Sequence, residues 1–176
     1  SVADTLADPS ISEAMSSQPV DPPTLAVNFL ANDSPLAGKE GSRVTSREIR
    51  TRLLREAESN ISIRVSETAG TDSFEVAGRG ELQLGVLIET MRREGFEMCI
   101  GRPRVLQRTD PDTGQILEPI EEVQIDVDEE FIGAVVEGVS GRRGELMDMR
   151  PSGGGRSRLV FHAPSRGLIG YNGELL

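Results

Sequence analysis

An α+β fold of two successive β-α-β-β-α-β units is the architecture that the 176-residue chain predicts. Three observations carry that expectation. Over residues 24–103, short apolar runs and two amphipathic helical stripes follow one another in the order of a split βαβ unit. After Pro119 the same order starts again. The composition, with 36% hydrophobic residues, 27% charged residues and no tryptophan, is that of a folded chain whose core must be aliphatic. Together these define two ferredoxin-like units, the second cut short before its last strand.

Residues 1–23 stand outside this pattern. They are rich in serine, proline and aspartate without periodicity, and read as a linker or the tail of a preceding domain. TLAVNFL, from Thr24, reads as a buried strand. T-S-R-E at Thr45–Glu48 is a capping box that starts a helix. In that helix Ile49, Leu53 and Ala57 form the stripe, with Arg47, Arg52 and Arg55 directed away and Asn60 as the stop. ISIRV, a loop around Gly70 and SFEVAG supply two more strands. The next helix carries Leu84, Leu87, Ile88 and Met91 at core spacing. Arg92 and Arg93 lie at its dipole's negative end, and Gly95-Phe96 forms its cap. EMCI closes the unit, with Cys99 expected as a buried packing residue.

Residues 104–118 predict a connecting ribbon around the turn D-P-D-T-G. In the second unit, residues 119–176, EVQIDV turns Val123, Ile125 and Val127 to one face. A helix follows with Phe131, Val135, Val136 and Val139 inward and Gly141 as its stop. GELMDMR and SRLVFHA pair across P-S-G-G-G, and a second helix is starting at Ser165 as the chain ends. No room remains for a fourth strand, which suggests an excised piece. In the 4-1-3-2 strand order, that leaves Val123–Val127 as an open edge. The expected result is a weakened second unit or self-association along that edge.

The charge balance, 19 basic against 29 acidic residues, argues against non-specific coating of nucleic acid. One cysteine excludes an internal disulfide framework and a cysteine-cluster metal site. No signal peptide and no apolar span of membrane length is legible, so a cytoplasmic setting is the default.

Several candidate motifs dissolve on inspection. GRGELQLG, Gly78–Gly85, lacks the lysine and Ser/Thr of a P-loop and the spacing of a dinucleotide fingerprint. It reads as a strand-to-helix turn, with an anion site at the helix N-terminus as the lesser alternative. Leu82 and Val86 form a second apolar face on that helix, expected to meet a neighbouring domain. His162 falls on the face opposite Leu159, Phe161 and Ala163, with no second histidine to make a metal pair. Glu122, Asp126 and Asp128 share a strand face, where pairing with Arg150 or Arg158 is the simplest reading. No catalytic, nucleotide-binding or metal-ligating constellation emerges. The remaining candidates are the arginines near the glycine hairpin: Arg142, Arg143, Arg156, Arg158 and Arg166. They read either as phosphate contacts or as a solvated surface balancing many acids.

GRGELQLGVLIETMRREGFEMCIGRPRV resembles the segment that opens the second helix of domain III in translational GTPases. SPLAGKEGSRVTSREIRTRL, MRREGFE and PSRGLIGYNGE are similar to the TypA/BipA branch. The resemblance implies that residues 1–23 end domain II, residues 24–103 form domain III and residues 119–176 begin domain V. It also implies that GTP, magnesium and the hydrolytic chemistry belong to a GTPase domain absent from this chain. The expected partners are then ribosomal RNA and protein, together with the other domains of the same parent. Contacts of these domains with the ribosome would favour the phosphate reading of the five arginines. Elongation factor G and LepA share the domain plan and stand as the near alternative. A ligand-binding regulatory pair of ferredoxin-like domains, or an enzyme using the acidic strand, stands as the distant one.

Overall fold

The computed structural model describes residues 5, 7–11, 13, 15, 16, 21–68 and 72–175. The loop expected around Gly70 lies outside them. The chain divides into two compact units, Ser1–Arg104 and Val105–Leu176.

In the first unit, β1 (Leu25–Ala31), α1 (Ser46–Ser59), β2 (Arg64–Glu67), β3 (Ser73–Gly78), α2 (Glu81–Arg93) and β4 (Met98–Ile100) follow in the order read from the sequence. The strands lie as β2-β3-β1-β4, each neighbouring pair antiparallel. A short strand at the boundary of the unit, β5 (Arg104–Val105), also pairs with β1. Period-two alternation places Leu25, Val27 and Phe29 on one face of β1, opposite Gly78, Val76 and Phe74 of β3. α1 lies against β1, β2 and β3, and α2 against β3. Their stripes, Ile49 and Leu53 in α1 and Leu84, Leu87 and Met91 in α2, are fully buried.

Both helices are capped by side chain or glycine chemistry. Thr45 Oγ1 accepts the Glu48 amide at 3.3 Å, while the Glu48 carboxylate accepts the Thr45 amide and hydroxyl, closing the capping box. At the end of α2, Gly95 takes φ +86. Its amide donates to the Arg92 carbonyl and the Phe96 amide to Met91, the two bonds of a Schellman motif. Asn60 does end α1, but its backbone is extended, not left-handed. Its amide donates to the Glu56 carbonyl, and its side-chain oxygen accepts from Ser62.

Two other expectations fail here. Cys99 is exposed. It pairs with Leu30 on β1, whose parity is opposite to that of Phe29, so Cys99 falls on the side away from the helices. Arg52 is not directed into solvent: its side chain is 15% exposed and clamped between Glu56 and Glu94.

The loop between β1 and α1 is organised by one carboxylate. Glu97 accepts the amides of Gly38, Glu40 and Gly41 at 3.0–3.1 Å and the side-chain amide of Asn32 at 2.5 Å. These donors, the Glu40 amide foremost, hold the Glu97 carboxyl below its usual range. A depressed pKa adds stability above the unfolded value and loses it as pH falls through the folded one. Amide protection at Gly38, Glu40 and Gly41 is therefore expected to persist through the ordinary glutamate range and to be lost only as pH falls below it, and Glu97→Gln should remove that pH dependence. Hydrogen exchange against pH reads both. Protection that survives acid unchanged would refute the clamp.

The second unit opens with a ribbon, β6 (Arg108–Thr109) paired with β7 (Ile116–Leu117). Asp110 makes its turn by accepting the amides of Asp112 and Thr113 through its side chain, and Gly114 supplies the left-handed residue. Then come β8 (Ile120–Asp128), α3 (Ile132–Gly141), β9 (Glu145–Gly153), β10 (Arg156–Pro164), α4 (Ser165–Leu168) and α5 (Asn172–Leu175). The sheet order is β8-β10-β9, all antiparallel. Val135 and Val139 of α3 pack with Leu159, Phe161 and Tyr171, and half-buried Val123, Ile125 and Val127 complete the cluster.

Phe131 does not join that stripe. It lies in a 3-10 turn before α3 and is 52% exposed, and Ile132 packs in its place. Gly141 is the last residue of α3, as its reading as the stop expects, and the chain reverses two residues later. Arg143 takes the left-handed conformation, φ 68, and the amides of Arg143 and Gly144 donate to Ser140 and Val139. Gly144 is required there, since a Cβ would come 2.4 Å from Val139 Cγ1. The open edge expected from the sequence is present in the second unit. β8 is paired with β10 through all nine of its residues, while its outer edge has no strand partner among the described residues.

Candidate nucleic-acid interface

GRGELQLG is the joint between β3 and α2. Gly78 ends the strand, where a Cβ would sit 3.0 Å from Leu84 Cδ2, and Gly80 is an extended N-cap that lacks a side-chain cap. Gln83 serves the turn instead: its oxygen accepts the Arg79 amide at 2.8 Å and its nitrogen donates to Ser62 Oγ at 2.7 Å. With Glu81 in the first turn, the helix start is already supplied with negative charge. Leu82 and Val86 on the same helix are 82% and 58% exposed.

The five arginines read from the sequence occupy four different settings. Arg142 donates to the Gly167 carbonyl at 2.9 Å, pairs with Glu174 and lies over the Tyr171 ring at 5.0 Å. It holds the last helical turns against α3. Arg166 grips Glu118 through two nitrogens, at 2.6 and 3.2 Å. Arg156 and Arg158 stand on the outer face of the sheet, paired with Asp128 and Asp126. Bonds from these guanidiniums hold the Asp126 and Glu118 carboxyls below their ordinary range. Of the five, Arg143 alone makes no ion pair among the described residues, and its left-handed backbone costs a residue with a Cβ roughly 1 kcal/mol.

The sheet face bearing Arg156 and Arg158 is acidic on balance. Register places Glu122, Asp126, Asp128, Glu145 and Asp148 beside Arg150, Arg156 and Arg158, five carboxylates against three guanidiniums. Arg150 pairs with Asp148 on its own strand, so of the two arginines expected to pair with the β8 carboxylates it is Arg158 that takes Asp126. His162 faces outward on this surface, between Glu122 and Glu145, as its parity requires.

A more basic surface lies in the first unit and was not singled out from the sequence. Arg43, Arg47, Arg52 and Arg55 line two overlapping clefts of about 510 and 420 Å³ beside α1, together with Glu48, Glu56, Glu94 and Phe96. The signal that could have found it is the i, i+4, i+8 spacing of Arg47, Thr51 and Arg55, which puts them on one helix face. No group of three or more His, Cys, Asp or Glu among the described residues could hold a metal ion. No described helix is long and apolar enough to cross a membrane.

Comparison with known proteins places these features. Residues 115–176 match the family of the elongation factor G C-terminus, which makes the second unit ferredoxin-like. The chain is 50% identical over 175 residues to the large ribosomal subunit assembly factor BipA of Haemophilus influenzae. It is 47% identical over the same length to those of Salmonella typhimurium and Synechocystis. The chain is a BipA/TypA homologue. The alignments cover 99% of this chain but only 28–29% of the BipA relatives. The fold is mixed α+β with antiparallel sheets, as the order of periodic segments required.

Proposed function

We propose that this chain is the ribosome-contacting, conformational-relay portion of a BipA-like translational GTPase, working in the cytoplasm. The observation that carries the reading is its similarity, along nearly its whole length, to proteins named as large ribosomal subunit assembly factors. In this reading both units are ferredoxin-like. Residues 24–103 correspond to domain III and residues 119–176 to the beginning of domain V, joined by the ribbon at 104–118. Residues 1–23 end the domain before them. GTP and magnesium are handled by a separate GTPase domain, and these residues transmit its state. The exposed apolar pair Leu82 and Val86 would then dock against another domain of the same protein, since a helix with two apolar faces packs on both.

Within the second unit, Arg143 is the foremost RNA contact. It is exposed, makes no ion pair among the described residues and sits in a left-handed cap beyond the end of α3. Arg142, Arg156, Arg158 and Arg166 would have to exchange an intramolecular carboxylate for a phosphate, so they contribute less. The test is co-sedimentation of the full-length protein with large ribosomal subunits across a salt series. Arg143→Gly relieves the backbone and removes the charge, so folding should persist while the salt slope flattens by about 0.7–0.9 for the lost contact. Neutralising Arg142, Arg143, Arg156 and Arg158 together should weaken binding further. Salt-insensitive, unchanged binding by that variant would remove the RNA assignment. A full-length protein carrying Leu82→Asp and Val86→Asp that keeps its compactness in solution scattering would remove the docking assignment.

A further inference from the structure

We propose that the arginine cleft beside α1, in the first unit, is a binding site for phosphate groups. It does not depend on the relay reading. In the second unit only Arg108 and Arg143 lack an ion pair among the described residues. In the first, Arg43, Arg47 and Arg55 make no ion pair among the described residues, and all three line the smaller of the two clefts. The carboxylates nearest to them are already engaged. Glu56 and Glu94 are held by Arg52, at 2.9 Å and at 2.7 and 3.0 Å. Glu48 is occupied by the Thr45 amide and hydroxyl.

The cleft is also preorganised. Phe96 is buried, and Arg43 lies over its ring at 5.1 Å, a cation–π contact that anchors the guanidinium at the cleft. Arg52, locked by two carboxylates, forms the rigid floor. Arg47 and Arg55 lie about two turns apart on α1, a rise of about 12 Å, with Thr51 between them donating its hydroxyl to the Arg47 carbonyl. That reach exceeds a single phosphate, so the site fits a ligand carrying two or more. Guanidinium forks match phosphate oxygens better than any other cation in proteins. The chemistry shared by an RNA backbone and by a free oligophosphate is what the cleft recognises.

The experiment uses the 176-residue chain and two probes, inorganic pyrophosphate and a single-stranded RNA octamer, followed through the arginine Nε–H signals. The expected result is a saturable shift of Arg43, Arg47 and Arg55 with at least one probe, and little change at Arg158 or Arg166. Response to RNA alone identifies a polynucleotide backbone as the source, and response to pyrophosphate identifies a small phosphate ligand. Arg47→Gln with Arg55→Gln should lower the affinity at least tenfold and reduce the RNA salt slope by about 1.4, two contacts' worth on a single strand. Arg50→Gln, whose side chain is paired with Glu67, should leave it unchanged. Absence of saturable shifts with both probes would overturn the site. So would equal loss of affinity in Arg50→Gln, which would mean a diffuse charge effect.

Discussion

Phe161→Ala is expected to abolish the cooperative fold of the second unit. Phe161 is fully buried at the centre of a cluster with Val135, Val139, Leu159 and Tyr171, and no other phenylalanine lies in it. Truncating a buried phenylalanine costs about 3–5 kcal/mol, because the transfer free energy is lost and a cavity remains. A core of this size, in a unit of fewer than about 80 residues, supplies only about 3–5 kcal/mol of net stability. The deletion therefore consumes the whole margin. Amide signals of β8, β9 and β10 should collapse to unfolded shifts at 25 °C, while Phe131→Ala, at the exposed turn, should change stability by no more than about 0.5 kcal/mol. If both variants stay folded with similar midpoints, the core has been misplaced. If Phe131→Ala is the damaging one, the sequence-based stripe was right and the packing described above is wrong.

That contrast shows where sequence periodicity reaches its limit. Val135 and Val139 were legible as core, since four residues of spacing on a helix leave little choice of face. Phe131 was not, because the chain enters α3 through a 3-10 turn whose three-residue period rotates the first position off the stripe. Cys99 failed for a related reason. A three-residue strand offers too few positions for its alternation to establish which side is covered, and the pairing with Leu30 decided it. The element order of both units and the two helix starts needed only local chemistry, and they were legible. The candidate sites were less so. The ion pairs that engage Arg142, Arg156, Arg158 and Arg166 join residues 28–48 positions apart, beyond any local pattern. Likewise Arg47 and Arg55 could be placed on the outward face of α1, but not beside Phe96, which is brought there by the cap of the other helix.

That cap leads to the second large effect, Gly41→Ala. Two segments that carried the family resemblance, SPLAGKEGSRV and MRREGFE, prove to be one joint in space. Arg43 and Phe96 form a parallel bridge, with the Arg43 amide donating to the Gly95 carbonyl and the Glu97 amide to the Arg43 carbonyl. Gly41 is pressed into this joint: an added Cβ would stand 2.6 Å from the Gly95 carbonyl oxygen, 3.1 Å from the Glu97 nitrogen and 3.2 Å from its Cβ. The first two of these are backbone atoms of the Schellman motif and the strand behind it, so they cannot rotate aside as a flexible side-chain tip could. Overpacking of this kind costs about 1–3 kcal/mol. The damage should be directional. The Arg43 amide, the three amides on Glu97 and the Arg43 guanidinium over Phe96 should all lose protection or shift together, because each depends on the same backbone approach. Gly85→Ala in α2, where an added Cβ meets no atom within 4 Å, is the matched control and should be neutral or stabilising through helix propensity. Denaturation midpoints and hydrogen exchange on the two variants decide the matter. A Gly41→Ala protein as stable as the control, with its loop amides still protected, would show that the approach of these segments is not what glycine is there to permit.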